Sequence, residues 1–200
     1  MADFILVDAH VHLYRTQEEG HREKTGYQVW EYGDQADVHE TDCVGTVGEL
    51  LDQMTTTGIS KAVVVNLFSA QVNRQIAIEA LPDKLTESER DRRLADIDAG
   101  IREDIISFNR WNCDIAIQNP GLVPFVGADV NALPGNQCAE HIRDMIENHA
   151  AAGVKLHGAF QGFDMSDERL WPTYQAVSYT HLRAHETLRY LVSRLLLEKK

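Results

Sequence analysis

The stretch Phe4-Ile5-Leu6-Val7-Asp8-Ala9-His10-Val11-His12 joins a short apolar run to a pair of histidines near the start of the chain. A continuous apolar run is typical of a strand in a parallel sheet that is covered on both faces, and we expect a strand over residues 3–8. Side chains alternate along a strand, so His10 and His12 point the same way with Cα atoms ~6.6 Å apart. Two imidazoles at this spacing can bind one metal ion, whose bonds to histidine nitrogen are ~2.1 Å long.

Strand and helix patterns alternate along the rest of the chain. Apolar runs rich in β-branched residues predict strands over 61–67, 122–128 and 154–157. Helical spacing, with capping boxes at two of the starts, predicts helices over 46–57, 86–118 and 139–152 and from 166 onward. Pro124 is awkward inside a central strand because it has no N–H to donate. Four successive β-α units with right-handed crossovers indicate an α/β fold with a parallel sheet.

Composition excludes several classes of protein. The chain has 200 residues, which suits one domain, and a formal net charge of −12 with no basic stripe that could neutralise phosphates. Nucleic acid is therefore not an expected partner.

Neither a signal pattern nor an apolar run of ~18 residues is present, so no membrane span is expected. Three scattered cysteines are typical of free thiols in a reducing cytoplasm. We expect a cytoplasmic protein that binds a small-molecule substrate, and composition leaves oligomerisation open.

Residues 177–200 break the pattern of the preceding chain. Residues 177–187 match one reading frame of the constant part of a transposon-type sequencing adapter, and residues 191–197 match its translated continuation except at Ser193. The variable index between the two constant pieces permits only Tyr, His, Asn or Asp at position 190, which is Tyr190. We therefore expect natural sequence over 1–176 and an adapter-derived tail over 177–200. The alternative is a genuine basic amphipathic helix in this tail.

Three motifs in this order resemble the amidohydrolase-related family of metal-dependent hydrolases. They are VDAHVHL at 7–13, GVKLHGAFQGF at 153–163 and DERLWPTY at 167–174. The resemblance covers residues 3–176 and implies a (β/α)8 barrel, of TIM-barrel type, truncated here after about four β/α units, with its site at the C-terminal ends of the strands. It also implies a divalent metal, most often zinc, with His10 and His12 as two of its ligands. A third histidine and an aspartate base are expected beyond residue 176.

Three further residues are candidates for orienting a ligand or contacting substrate. Asp8, expected on the face of the two histidines, could orient an imidazole or could simply cap the turn after the strand. Lys155 lies where some relatives in the wider superfamily carry a carbamylated lysine, and a pocket or structural role is the favoured interpretation. His157 shares its face and could contact substrate or metal. By contrast, His141 and His149 are expected on the exposed side of the third helix.

The chemistry implied by the resemblance is hydrolysis. A bound metal lowers the pKa of its water towards ~7, which makes hydroxide available at neutral pH to attack an amide, ester or lactone carbonyl. The family also contains metal-dependent decarboxylases and hydratases that use the same first ligands. The remaining alternatives are a catalytically inert fragment and a structural metal site.

Overall fold

The β-branched and capped segments of the sequence form a four-stranded sheet and the helices that connect its strands. The computed structural model describes residues 5–23, 42–65 and 67–179. Its strands are β1 (Val7–Val11), β2 (Lys61–Val65), β3 (Leu122–Gly127) and β4 (Gly153–Lys155). Its helices are α1 (17–23), α2 (Val47–Thr57), α3 (Ala70–Glu79), α4 (Glu87–Gln118), α5 (Gln137–Asn148), α6 (Gly158–Gln161) and α7 (Trp171–Tyr179). The strands are parallel and lie side by side in the order β1-β2-β3-β4, which confirms the predicted α/β class.

Both predicted capping boxes begin a helix. Thr46 precedes α2, where the Glu49 carboxylate accepts a hydrogen bond of 2.8 Å from the Thr46 backbone N–H. Thr86 precedes α4, where Glu89 accepts in the same way at 2.9 Å. Each reciprocal pair satisfies amide groups that have no partner inside the helix. The helices predicted over 46–57 and 86–118 are confirmed.

Pro124 lies inside β3, which pairs with a strand on either side. Its carbonyl oxygen accepts a hydrogen bond of 2.8 Å from the Ala152 N–H, on the side of β4. The β3–β4 register begins only at Phe125, opposite Gly153. The missing N–H of Pro124 therefore falls before the first residue pair of that ladder, and the strand tolerates the proline.

Two clusters of buried side chains hold the helices on the sheet. The larger one joins α4, α5 and α7 to β3, with Ile105, Ile142, Met145 and Leu170 at its centre. The smaller one packs α2 against β1 and β2 through Leu13, Met54 and Val64. Among the described residues, no helix is both long enough and apolar enough to cross a membrane.

The first strand differs from the prediction. It begins at Val7, and the apolar residues at this end of the chain are exposed: Ile5 by 70%, Leu6 by 52% and Val7 by 51%. The expectation that this run is covered on both faces is wrong, because more than half of each of these side chains is exposed and two of them, Ile5 and Leu6, precede the strand.

The predicted domain boundary after residue 176 falls inside α7. That helix continues to Tyr179, and Val177 packs against the larger cluster. Residues 180–200 lie outside the described residues, so the adapter origin of the tail stays a prediction.

Candidate metal centre

His10 and His12 meet at the C-terminal end of β1. Their Nε2 atoms are 3.1 Å apart, and their ring centroids are separated by 4.9 Å. With metal–nitrogen bonds of ~2.1 Å, this separation corresponds to a nitrogen–metal–nitrogen angle of about 95°. The two imidazoles therefore suit two adjacent positions around one divalent ion.

The hydrogen bond of His12 prepares its ring to act as a ligand. Nδ1 lies 2.9 Å from the carbonyl oxygen of Val65, at the end of β2. A carbonyl can only accept, so Nδ1 donates and the neutral ring presents its lone pair at Nε2. Burial lowers the pKa of His12 to about 4, which keeps the ring neutral near pH 7. With His12 in this tautomer, His10 donates from its Nε2 to that of His12, and His10 would have to carry its proton on Nδ1 in order to bind a metal through Nε2.

Asp8 contacts the backbone beside the histidines. Its Oδ1 accepts a hydrogen bond of 3.1 Å from the backbone N–H of His10. The strand register shifts between Asp8 and Val11, so the strict alternation assumed for Asp8 and the histidines is interrupted there. Burial lowers the pKa of the exposed His10, the Lys155 cation lowers it further, and Asp8 raises it. This contact lies within β1, and the role of Asp8, toward an imidazole or as the cap of a turn after the strand, stays a prediction.

Lys155 and His157 belong to the same end of the sheet as the histidine pair. Burial is the largest cause of the lowered pKa values of His10 and His12, and the Lys155 cation lowers both pKa values further. Burial also lowers the pKa of Lys155 itself. The Nδ1 atom of His157 accepts a hydrogen bond of 3.2 Å from the Phe160 N–H at the start of α6. A neutral His157 ring therefore carries its proton on Nε2 and is a hydrogen-bond donor, unlike the ligand-ready ring of His12.

Gln161 holds this end of the sheet together, a role that the sequence alone did not indicate. Its side chain is 1% exposed, and its Nε2 donates to the carbonyl oxygens of Phe68 at 2.8 Å and Ala128 at 2.9 Å. Its Oε1 accepts from the His157 N–H at 2.8 Å. One amide thus joins the segments that follow β2, β3 and β4. Its place in the motif at 153–163 was the only sequence signal for this role.

The expectation that His141 is exposed is wrong. The residue is 9% exposed, and its Nε2 accepts a hydrogen bond of 2.9 Å from Asn109 on α4. Asn109 also bonds both the N–H and the carbonyl of Gly127 at 2.9 Å, so it links α4, α5 and the end of β3. Burial lowers the pKa of His141 to about 4. His149 is partly buried and lies 3.7 Å from Asp144.

The donor set fits part of a metal site. Within the ranges that the structure describes, no group of three or more His, Cys, Asp or Glu side chains could hold a metal ion. Catalytic zinc sites commonly use three protein ligands. His10 and His12 therefore account for two ligands.

Comparisons with known proteins support the fold. Solved structures of 5-carboxyvanillate decarboxylase from Novosphingobium aromaticivorans are similar to this chain. Two of them superpose with a TM-score of 0.56, at 14% and 13% sequence identity. Each superposition covers 89% of this chain. The chain spans about half the length of these decarboxylase chains, 49% of the first and 48% of the second. Both hold manganese and 4-hydroxy-3-methoxy-5-nitrobenzoic acid, and one is a mutant.

The likeness concerns the fold alone at this level of identity. It confirms the predicted barrel-type α/β architecture, truncated after about four β/α units. A search of protein-family models finds no match, and a search of curated proteins finds none either.

Proposed function

We propose that this chain carries the first half of a metal-dependent decarboxylase that acts on a small carboxylated molecule. The observation that carries the proposal is the histidine pair, in which His12 presents a neutral Nε2 3.1 Å from that of His10. The likeness in fold to a decarboxylase that contains manganese supports the same reaction class. Manganese and zinc both accept imidazole ligands, so the proposal covers either metal.

Each residue at this end of the sheet has a distinct part in the proposed reaction. A divalent metal held by His10 and His12 would supply Lewis acidity. Lys155 is the cation that would pair with the substrate carboxylate, and this pairing would offset the burial that lowers its pKa. When the carbon–carbon bond breaks and carbon dioxide leaves, the carbon that carried the carboxylate must gain a proton. His157, with its proton on Nε2, is the candidate donor. Asp8 holds the His10 backbone through its hydrogen bond to the N–H.

Hydrolysis of an amide, ester or lactone is the competing function. It would use the same two histidines and a metal-polarised carbonyl. Lys155 favours decarboxylation, because a cation beside the metal ligands suits a substrate that carries a carboxylate. The fold likeness points the same way.

Metal binding and turnover by the full chain test the proposal. Calorimetric titration with manganese and, separately, zinc should show binding that is lost in His10→Ala and His12→Ala and kept in the matched control His149→Ala, since His149 directly follows α5. Carbon dioxide release from 5-carboxyvanillate and other carboxylated phenols, abolished by His12→Ala, would support decarboxylation. Ester or amide hydrolysis without carbon dioxide release would contradict decarboxylation and support the competing hydrolase function. Metal binding that survives both histidine substitutions would overturn the ligand assignment.

A further inference from the structure

A cavity of about 320 Å³ lies between α3, α4 and the segment that follows β3. Pockets that bind small molecules commonly enclose ~300–1,000 Å³. Apolar side chains form part of its wall, namely Ala70, Ile101, Ala132 and Pro134. Among the described residues that line it, none belongs to the candidate metal centre, so the proposed reaction does not account for this cavity.

Three charged side chains give the wall of the cavity an excess of one positive charge. They are Arg74, Asp98 and Arg102. Arg74 and Asp98 neutralise each other, because the Arg74 Nε lies 2.6 Å from Oδ1 of Asp98 across the gap between α3 and α4. Arg102 therefore supplies the unbalanced charge, in a chain whose formal net charge is −12. A cationic wall in an acidic protein favours an anionic ligand.

Arg102 also has a buried donor that lacks a partner. Its Nε atom is buried, and no acceptor bonds it within the part of the chain that the structure describes. A guanidinium carries Nε and one Nη on the same edge of its plane, and this edge matches the two oxygens of a carboxylate. A modest rotation of the side chain would present this edge to the cavity, where a carboxylate would accept from both N–H groups.

The N-terminus of α3 borders the cavity, but its first N–H group is already used. The Ala70 N–H donates to the Asp129 carboxylate at 2.9 Å. Asp129 is fully buried and also accepts from the N–H groups of Asn131 and Ala132. Recognition of a ligand therefore depends on Arg102 and not on the helix terminus.

We propose that this cavity binds a small monocarboxylate with an apolar body, such as an aromatic acid. Arg102 pairs with the carboxylate, and the apolar part of the wall contacts the hydrocarbon. An excess of one positive charge matches a carboxylate better than a phosphate monoester, which carries nearly two negative charges near pH 7. Binding here needs neither a metal ion nor the proposed decarboxylation.

Benzoate is the probe, and magnetic resonance spectra of the isotope-labelled full chain report where it binds. A chelator is present, so that no metal ion draws the carboxylate to the histidine pair. We expect benzoate to shift the amide signals of residues 70–74, 98–102 and 131–134, and its affinity to fall with added salt. Benzamide has the same shape and no charge, so it should leave these signals unchanged. Phenyl phosphate should bind more weakly than benzoate.

Arg102→Met removes the guanidinium and keeps an unbranched side chain. Benzoate binding should weaken by about tenfold or more in this variant. The urea midpoint should not fall, because the change also removes an unpaired buried donor. Arg102→Lys keeps the charge without the two-pronged edge and should bind with intermediate affinity. Arg90→Met is the matched control, since Arg90 is exposed near the start of α4, and it should bind benzoate like the wild type.

Several results would overturn the proposal. They are an absence of benzoate-induced shifts in the three segments of the wall, equal binding of benzamide, tighter binding of phenyl phosphate, and unchanged binding in Arg102→Met. If Arg102→Met fails to fold, the position of the shifts in the unaltered chain decides. Benzoate binding that is lost in Lys155→Met and kept in Arg102→Met would place the carboxylate at the metal centre, which would support the proposed function and reject this site.

Discussion

Replacing Gln161 should destabilise the protein more than any surface glutamine can. The side chain makes three hydrogen bonds, to the carbonyls of Phe68 and Ala128 and from the N–H of His157, at 2.8, 2.9 and 2.8 Å. Leucine has a similar volume but no polar atom, so Gln161→Leu leaves these three groups without their partner at a position that is 1% exposed. Each unpaired buried group costs about 1–3 kcal/mol, and leucine recovers part of this through apolar contact. We expect the free energy of unfolding to fall by about 3–5 kcal/mol.

Urea denaturation followed by circular dichroism measures this change. The control is Gln75→Leu, because Gln75 is exposed on α3 and makes one hydrogen bond of 2.7 Å to Glu79. Its free energy of unfolding should change by no more than about 0.5 kcal/mol. A loss below about 1 kcal/mol in Gln161→Leu would refute the view that this amide joins the strand ends.

Two further predictions concern a buried histidine and a crowded glycine. His141 has a pKa of about 4 in the folded protein and 6.5 ordinarily, so the unfolded chain binds more protons between these values. The free energy of unfolding should therefore rise with pH across this window, by up to about 3 kcal/mol from this residue. Urea titrations at several pH values should show a smaller rise in His141→Gln, and an equal rise would contradict the assignment. Gly153→Ala places a Cβ atom 2.5 Å from the Phe125 ring and should destabilise by about 1–3 kcal/mol. Gly48→Ala in α2, with nothing within 4 Å, should stabilise by about 0.5–1 kcal/mol in the same assay, and equal effects of the two changes would exclude crowding as the cause.

Helix starts could be predicted from the sequence because their determinants are local. Thr46 and Glu49 are three residues apart, and the hydrogen bonds between them form as soon as the first turn forms. The extent of β1 could not be predicted in this way. An apolar run such as Ile5 to Val7 indicates a strand, but whether it is covered depends on elements elsewhere in the fold.

The histidine pair could be predicted because side-chain alternation acts over two residues. The state of His12 could not, since the carbonyl that fixes its tautomer belongs to Val65, 53 residues along the chain. The prediction that His141 is exposed was wrong for the same reason. Its helix pattern is compatible with an exposed position, and its burial is set by Asn109 on another helix.

The position of Lys155 predicts that metal and carboxylate assist each other in binding. The Lys155 cation lowers the pKa of both His10 and His12 through its positive charge. The same charge would repel a divalent cation held by these two rings. A carboxylate between the two positive charges relieves this repulsion, and linkage requires that each ligand then strengthens the binding of the other.

We expect 4-hydroxy-3-methoxy-5-nitrobenzoate to tighten manganese binding by about tenfold, within the usual range of such coupling. Calorimetric titrations of manganese with and without the carboxylate measure this effect. In Lys155→Met, manganese alone should bind more tightly than in the wild type, because the repelling charge is gone, and the carboxylate should give less enhancement. If Lys155→Met weakens manganese binding instead, the lysine is a ligand or a support for the ligands, and its assignment as the carboxylate anchor is wrong.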